Sequence, residues 1–417
     1  MRAALETCLA QHPGLTRLGV AVSGGGDSVA LLVTAAELPG VTLEAVTIDH
    51  GLRAGSRAEA GQVAALCARL GVEHQRLDWA RGEAAGGNLQ QAARRARQQM
   101  IGNWARARGL QAVLLGHTLD DQAETVLMRL ARGSGVDGLS AMEAAVEQGG
   151  LLWLRPFLGL RRADLRDFLR ARGVAWCEDP SNEDTRFQRV RARQALALLA
   201  PLGIDAAGLT ATAGRLRRAR AALEGQTRAA LAALAVEDRG TVLVSQAALA
   251  LEPEIRDRLF ARLVTGLSGA AHPPRLAGLQ RWIGSAEGGG GKGGAFMGCL
   301  LRPEGDGLRL FREYRAVAAT VTPADAVWDG RWRATAQAGG GATAGGQGEI
   351  RALGPEGLRQ LSAQARAGLH PHWRDSGLPE AALKAMPGLW REARLIAAPL
   401  ALWPNGWHIA ARPVTRL

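Results

Sequence analysis

Leu18-Gly19-Val20-Ala21-Val22-Ser23-Gly24-Gly25-Gly26-Asp27-Ser28 passes from a short apolar run into three glycines, an aspartate and a serine. A helical pattern then runs from Ser28 to Leu38. Glycines after a strand let the backbone turn tightly and come close to a ligand. The loop N–H groups and the N-terminus of the following helix then face an anion. Ser23 and Ser28 add hydroxyl donors, so Ser23–Ser28 has the chemistry of a phosphate site. It is not the lysine-bearing GxxxxGK[ST] loop. Asp27 stands there instead, and its charge repels phosphate unless a cation intervenes. Asp27 therefore points to Mg²⁺ bridged to phosphate oxygens. A plain glycine-rich turn with an aspartate cap accounts for part of this string but not for all of it.

Outward from this loop, short apolar runs alternate with helical patterns. Strands are expected at Leu18–Val22, Thr42–Ile48, Glu73–Leu77, Ala112–Leu115 and Leu151–Leu154. Helices are expected at Arg57–Leu70, Leu89–Arg108, Asp120–Arg132 and Arg161–Arg172. This rhythm predicts an α/β fold with a doubly wound parallel sheet covered on both faces, which binds ligands at the carboxyl ends of its strands. Beyond it, Arg215–Leu234 and Glu254–Leu267 read as helices of a small helical domain. Ala295–Leu301, Leu308–Phe311, Trp328–Ala334 and Leu395–Trp403 read as strands of a C-terminal β-rich or α+β domain. The expected domains are 1–200, 201–285 and 286–417, with glycine-rich segments at 284–294 and 336–348 as linker and loop.

The chain has 417 residues and a net charge of +12, from 51 Lys+Arg against 39 Asp+Glu, and only Lys292 and Lys384 are lysines. Arginine pairs with phosphate through a planar fork, so this balance suits an RNA partner. GC-rich coding raises Arg, Ala and Gly together, and charge alone does not separate the two readings. Cys8, Cys67, Cys177 and Cys299 form no CxxC pair and have no zinc-ligand spacing,. Cys67 fits an apolar helical face. The N-terminus reads as an amphipathic helix without a signal-peptide run, and no stretch approaches the ~20 apolar residues of a membrane span. A reduced, cytoplasmic protein away from membranes is expected.

Three further motifs end strands of the sheet. Ile48-Asp49-His50-Gly51-Leu52-Arg53 closes the second, where Asp49 either caps a turn or faces the ligand. Leu115-Gly116-His117-Thr118-Leu119-Asp120-Asp121-Gln122-Ala123-Glu124-Thr125 follows the fourth. Its aspartates suit a helix N-terminus, and Asp121, Glu124 and Thr125 share one face. Arg129-Leu130-Ala131-Arg132-Gly133-Ser134-Gly135-Val136-Asp137-Gly138-Leu139 leaves that helix. Asn88–Arg97 carries Arg94, Arg95 and Arg97, of which Arg94 and Arg97 share a face. Trp176-Cys177-Glu178-Asp179-Pro180-Ser181-Asn182 precedes a basic Arg186–Arg193 segment, either a phosphate-backbone contact or a solvated face.

Together these strings resemble the tRNA(Ile)-lysidine synthetases of the PP-loop ATP-pyrophosphatase superfamily. SGGGDS is the PP-loop, and LGH…DDQAET…RGSGVDGL selects the lysidine branch. The likeness is strong over residues 15–195. WDGRW (Trp328–Trp332) and FREYR (Phe311–Arg315) resemble C-terminal parts of the family. Gln98 replaces a usual tyrosine, and Gln188 and Val190 replace an asparagine and an isoleucine. The resemblance implies ATP and Mg²⁺ as cofactors, and tRNA(Ile) with a CAU anticodon and free L-lysine as substrates. A wobble cytidine would be adenylated, with release of pyrophosphate, and the lysine amine would then displace AMP. It also implies roles. Asp27, Asp49, Asp121 and Arg132 are catalytic candidates. Ser23, Gly24, Gly25, Gly26, Asp27, Ser28, His117 and Gly133 are ATP-binding candidates, with Asp27 the metal ligand. His50, Arg53, Arg94, Arg97, Glu124, Asp179, Asn182, Arg189 and Arg193 are candidates for lysine or tRNA. Asp49, Asp121 and Glu124 remain open for the lysine amine. The rival readings are a PP-loop tRNA thiolase, for which Cys177 is the one cysteine beside a motif, and a non-catalytic RNA-binding protein.

Overall fold

The structure, a computed structural model, describes residues 1–49, 56–79, 89–178, 184–287, 294–337 and 348–414, with the side chains of 56 and 89–95 outside the description. Contacts gather the chain into two compact units, Met1–Arg220 and Ala221–Leu417.

The first unit opens with α1 (Arg2–Ala10), β1 (Arg17–Ala21), α2 (Gly26–Ala36), β2 (Thr42–Asp49), α3 (Ser56–Leu70), β3 (Glu73–Asp78), α4 (Leu89–Ala107) and β4 (Ala112–Leu115). It continues with α5 (Leu119–Leu130), α6 (Val136–Leu139), β5 (Ala145–Gln148), β6 (Leu151–Leu154), α7 (Arg162–Ala171), α8 (Gln188–Leu199) and the start of α9 (Ala206–Leu234). Six strands form one sheet in the order β3-β2-β1-β4-β6-β5. All neighbours run parallel except β5, which lies antiparallel to β6 at the edge. β4, and β1 after its exposed first residue Arg17, are apolar because both faces are covered,. On one face α1, α2, α3 and α7 bury Leu5, Val29–Val33, Val63, Cys67, Leu165 and Leu169. On the other, α4 lays Ile101 and Trp104 against Ala21, Val46 and Val113. α4 lies so near β1 that a Cβ on Gly19 would stand 2.8 Å from the Trp104 ring. The expected parallel sheet is thus present. The edge strand β5 was not expected, since Ala145–Gln148 is short and polar at its outer end.

The second unit holds β7 (Ala235–Asp238), β8 (Thr241–Ser245), α10 (Pro253–Ser268), α11 (Leu276–Glu287), β9 (Cys299–Glu304), β10 (Gly307–Arg312), α12 (Tyr314–Val317), β11 (Val321–Pro323) and β12 (Trp332–Ala336). β13 (Glu349–Ala352), α13 (Gly354–Arg366), α14 (Glu380–Lys384), β14 (Pro387–Arg391), β15 (Arg394–Ala397) and β16 (Trp407–Ala411) follow. They form a β7-β8-β10-β9 sheet covered by α10 and α11, a β11-β13-β14-β15 sheet, and a β12-β16 ribbon. The β7-β8 hairpin interrupts the helical region read from the sequence. Its turn uses Arg239 and Gly240, both with positive φ, instead of an Asn-Gly signal. The strand expected from Ala295 begins only at Cys299, because Met297 and Gly298 turn the chain with positive φ. Likewise Asp329 and Gly330 turn before β12, and Pro399 ends β15 in a short 3₁₀ turn. Trp328, Trp332, Trp373, Trp390 and Trp407 are core residues. On α14, Lys384 pairs with Glu380 at 2.6 Å. The segments read as linker and loop lie mostly outside the described residues. Among the described residues no single helix is long and apolar enough to cross a membrane.

Candidate functional site

The loop Ser23–Ser28 leaves β1 at the carboxyl edge of the sheet and enters α2. Gly24 has φ +88°, which only glycine adopts without strain,. Ser28 closes the loop on itself, accepting from Ser23 N–H at 3.1 Å and donating to the Gly25 carbonyl at 2.9 Å. α2 starts with Gly25 as N-cap and no side-chain cap, so its end is available to an anion. Two neighbours fix the loop from outside. Gly116, after β4, approaches so closely that a Cβ would lie 2.9 Å from both the Asp27 carbonyl oxygen and Ser28 Cα. Cys177 N–H donates to the Gly24 carbonyl at 2.9 Å, and a Cβ on Gly26 would stand 3.4 Å from the Trp176 indole.

Asp27 opens α2 and faces the start of α5. There Thr118 caps the helix, and Asp121 Oδ2 accepts from Thr118 N–H at 2.8 Å and from its hydroxyl at 3.0 Å. This capping box explains why Asp121 is held rigidly although buried. Between the two aspartates lies a residue the sequence reading passed over, Arg162. Its Nε donates to Asp27 Oδ2 at 2.9 Å, its Nη2 to Asp121 Oδ1 at 3.1 Å, and its Nη1 lies 3.5 Å from Glu124 Oε1. A cation at the first position of a helix opposes the dipole. That oddity in Arg161-Arg162 was the available signal. Glu124, fully buried, also receives Arg193 Nε at 2.9 Å and lies 3.2 Å from Arg189 Nε. Both arginines come from α8.

These charges set the titration of the site. Burial raises the Asp27 carboxyl above its usual range; Arg162 opposes this and Asp121 adds to it. Burial pushes Asp121 the same way, but Arg189, Arg162, the Thr118 N–H and His117 outweigh it and leave its carboxyl low. His117 ends the β4 turn with a buried Nδ1 that has no hydrogen-bond partner. Burial pushes it down to about 4. Asp121 opposes that shift, while Arg155, Arg189 and Arg97 reinforce it, so the imidazole is neutral at pH 7.

Ser23–Ser28, His117, Asp121, Glu124, Arg189 and Arg193 are therefore joined by direct contacts or by charge, together with Arg97 on α4. Asp49 is buried at the end of β2. Arg132 is exposed after α5 and hydrogen-bonds Gln188 of α8. Gly133 beside it has φ +68°. His50, Arg53, Asp179 and Asn182, with the side chain of Arg94, lie outside the described residues. Cys177 is half-buried, its thiol donates to Gln62, and burial with Glu59 raises its pKa. All four cysteines are free.

The PP-loop domain family matches residues 2–199. A tRNA(Ile)-lysidine synthase of Ruegeria pomeroyi is 45% identical over 94% of this chain and 90% of its own length. One of Mesorhizobium japonicum is 37% identical over 98% of this chain and 90% of its own. Among solved structures, a U34-tRNA thiolase of Methanococcus maripaludis with its [4Fe-4S] cluster is 14% identical, covering 52% of this chain and 76% of that one with a TM-score of 0.45.

Proposed function

The chain belongs to the tRNA(Ile)-lysidine synthase family, and from that premise we propose how its residues activate a cytidine of tRNA(Ile) with ATP and join it to lysine. ATP lies on the PP-loop, its phosphates against Ser23–Ser28 and the uncapped start of α2,. The cytidine carbonyl oxygen attacks the α-phosphate, pyrophosphate leaves, and the ε-amine of free L-lysine then displaces AMP. Adenylation turns a poor leaving oxygen into a good one, so the protein supplies mainly position and charge neutralisation. The base is the wobble cytidine of a CAU anticodon, and the change switches reading from AUG to AUA. Such chemistry belongs in the cytoplasm, where tRNA is.

Mg²⁺ fits the donor set. Among the described residues no group of three or more metal-capable side chains occurs. Asp27, however, gives only one oxygen to Arg162, and a hard cation takes one or two carboxylates with the phosphate oxygens. Bound there, it would offset phosphate charge. The neutral His117 can hydrogen-bond nucleotide without adding charge. The lysine ammonium needs a carboxylate, which Asp49, Asp121 and Glu124 offer at this edge of the sheet. Arg97, Arg189 and Arg193 suit RNA phosphate, as do His50, Arg53, Arg94, Asp179 and Asn182 by their motifs. Arg132 and Gly133 would lie beside the nucleotide. The parts beyond residue 200 would grip the tRNA body.

The observation that carries this reading is the joining of the phosphate-loop carboxylate Asp27 to the α5 carboxylates through one guanidinium. The test is direct. Purified protein with ATP, Mg²⁺, lysine and a CAU-anticodon tRNA(Ile) forms AMP and pyrophosphate, and mass spectrometry finds one cytidine heavier by a lysine less water. Initiator methionine tRNA reacts poorly. Sulfur in the product, ADP in place of AMP, or indifference to lysine would each refute the proposal.

A further inference from the structure

Arg162 stands at the first position of α7, where the helix dipole disfavours a cation, and its side chain is only 17% exposed. Its main-chain N–H donates to Asp120 Oδ2 at 2.7 Å, which fixes the start of α7 against the first turn of α5. The three guanidinium nitrogens then face three different carboxylates: Nε faces Asp27, Nη2 faces Asp121 and Nη1 faces Glu124. A lysine there would bring one charged nitrogen and no fork. Asp27 belongs to the phosphate loop, and Asp121 and Glu124 belong to α5, so a single side chain joins elements far apart in sequence. Removing Arg162 strips Asp27 of its ion-pair partner, while Asp121 and Glu124 keep arginines of α8 nearby,. Without Arg162, Asp27 and Asp121 would face each other with no cation between them, at the place where a triphosphate brings more negative charge.

We infer that Arg162 is a positioning residue for the nucleotide step: it holds Asp27 in register with Asp121 and Glu124, so that a magnesium nucleotide meets a loop already set. Glu124 is further anchored by Arg189 and Arg193 of α8, so the frame that Arg162 completes reaches from the phosphate loop to the basic helix. This rests on the reading of Ser23–Ser28 as the ATP phosphate site.

The test is equilibrium binding of α,β-methylene-ATP with saturating Mg²⁺, measured by calorimetry. The proteins are the wild type, Arg162→Gln, Arg162→Lys, Asp27→Asn and the double variant of Arg162→Gln with Asp27→Asn. Arg162→Gln should weaken binding by roughly tenfold or more, with Arg162→Lys between it and wild type. The double variant should lose clearly less than the sum of the two single losses, because part of the effect of Arg162 runs through its contact with Asp27,. A merely structural role would give losses that add. Binding by Arg162→Gln within about twofold of wild type, or additive losses in the double variant, would overturn the inference. A wild type that binds no nucleotide would remove the phosphate-site reading and the inference with it. If Arg162→Gln is unfolded by circular dichroism, Arg162→Lys combined with Asp27→Asn carries the same comparison.

Discussion

At the scale of single residues, the site places similar groups in unlike environments. Asp27 and Asp121 share Arg162, yet burial raises the first while surrounding arginines lower the second. Asp27→Ala removes the loop carboxylate and should lower ATP consumption by roughly a hundredfold or more, with the circular dichroism spectrum unchanged. Near-normal turnover would contradict its role. His117 gives a pH prediction. Its folded pKa of about 4 lies below the usual 6.5, so between those values the unfolded chain takes up a proton that the folded chain does not. Stability therefore falls as pH drops from about 6.5 towards 4, by at most on the order of 3 kcal/mol from this group. His117→Gln, which cannot titrate, should flatten that slope in urea unfolding at pH 7 and pH 5. A wild-type slope persisting in the variant would place the effect elsewhere.

At the scale of elements, the decisive features are how closely strands, loops and helix ends approach. Gly116→Ala should impair nucleotide binding more than folding, since the added methyl meets the backbone of Asp27 and Ser28 at 2.9 Å. Titration calorimetry beside thermal unfolding separates the two, and a variant that unfolds early yet binds normally would contradict this. Thr118→Val keeps the shape of a fully buried side chain but removes the hydroxyl that serves Asp121. It should cost about 1–2 kcal/mol in chemical unfolding. The sheet was legible because Leu18, Val20, Ala45, Val46 and Val113 sit in short apolar runs that the sheet buries,. The start of α5 was legible because adjacent aspartates suit a helix N-terminus, but its cap, Thr118 paired with Asp121, was not singled out. Arg162 was not legible, because its meaning depends on partners 135, 41 and 38 residues away. The β7-β8 hairpin was hidden by a turn of Arg239 and Gly240, and β9 begins late because Met297-Gly298 turn inside what reads as one apolar run.

At the scale of the whole molecule, the first compact unit reaches Arg220. Ala213 packs with Val126 and Ala141, and Arg217 donates to the carbonyls of Ser140 and Met142. A fragment ending at Arg220 should therefore fold and bind ATP. One ending near Ala200 should melt earlier, because it exposes the end of α5 and the Ser140–Met142 turn. Equal melting of the two fragments would deny α9 this part in the first unit. The full chain should bind tRNA more tightly than either fragment, with affinity falling as salt rises because phosphate contacts release counterions. Equal affinity for fragment and whole chain would refute the division of labour between the units.

The arginine wall around the site has a chemical corollary. An adenylated carbonyl accepts whichever free amine arrives first, and a guanidinium, protonated at every physiological pH, does not compete. Arg97, Arg155, Arg162, Arg189 and Arg193 surround the acidic cluster and His117. The one described lysine, Lys384, belongs to the second unit and is held by Glu380. The cationic residues at the site can thus neutralise phosphate while leaving the activated base to the incoming amino acid. Self-labelling of the protein is correspondingly disfavoured, and an amine-bearing lysine analogue supplied during turnover should appear on the RNA and not on the polypeptide.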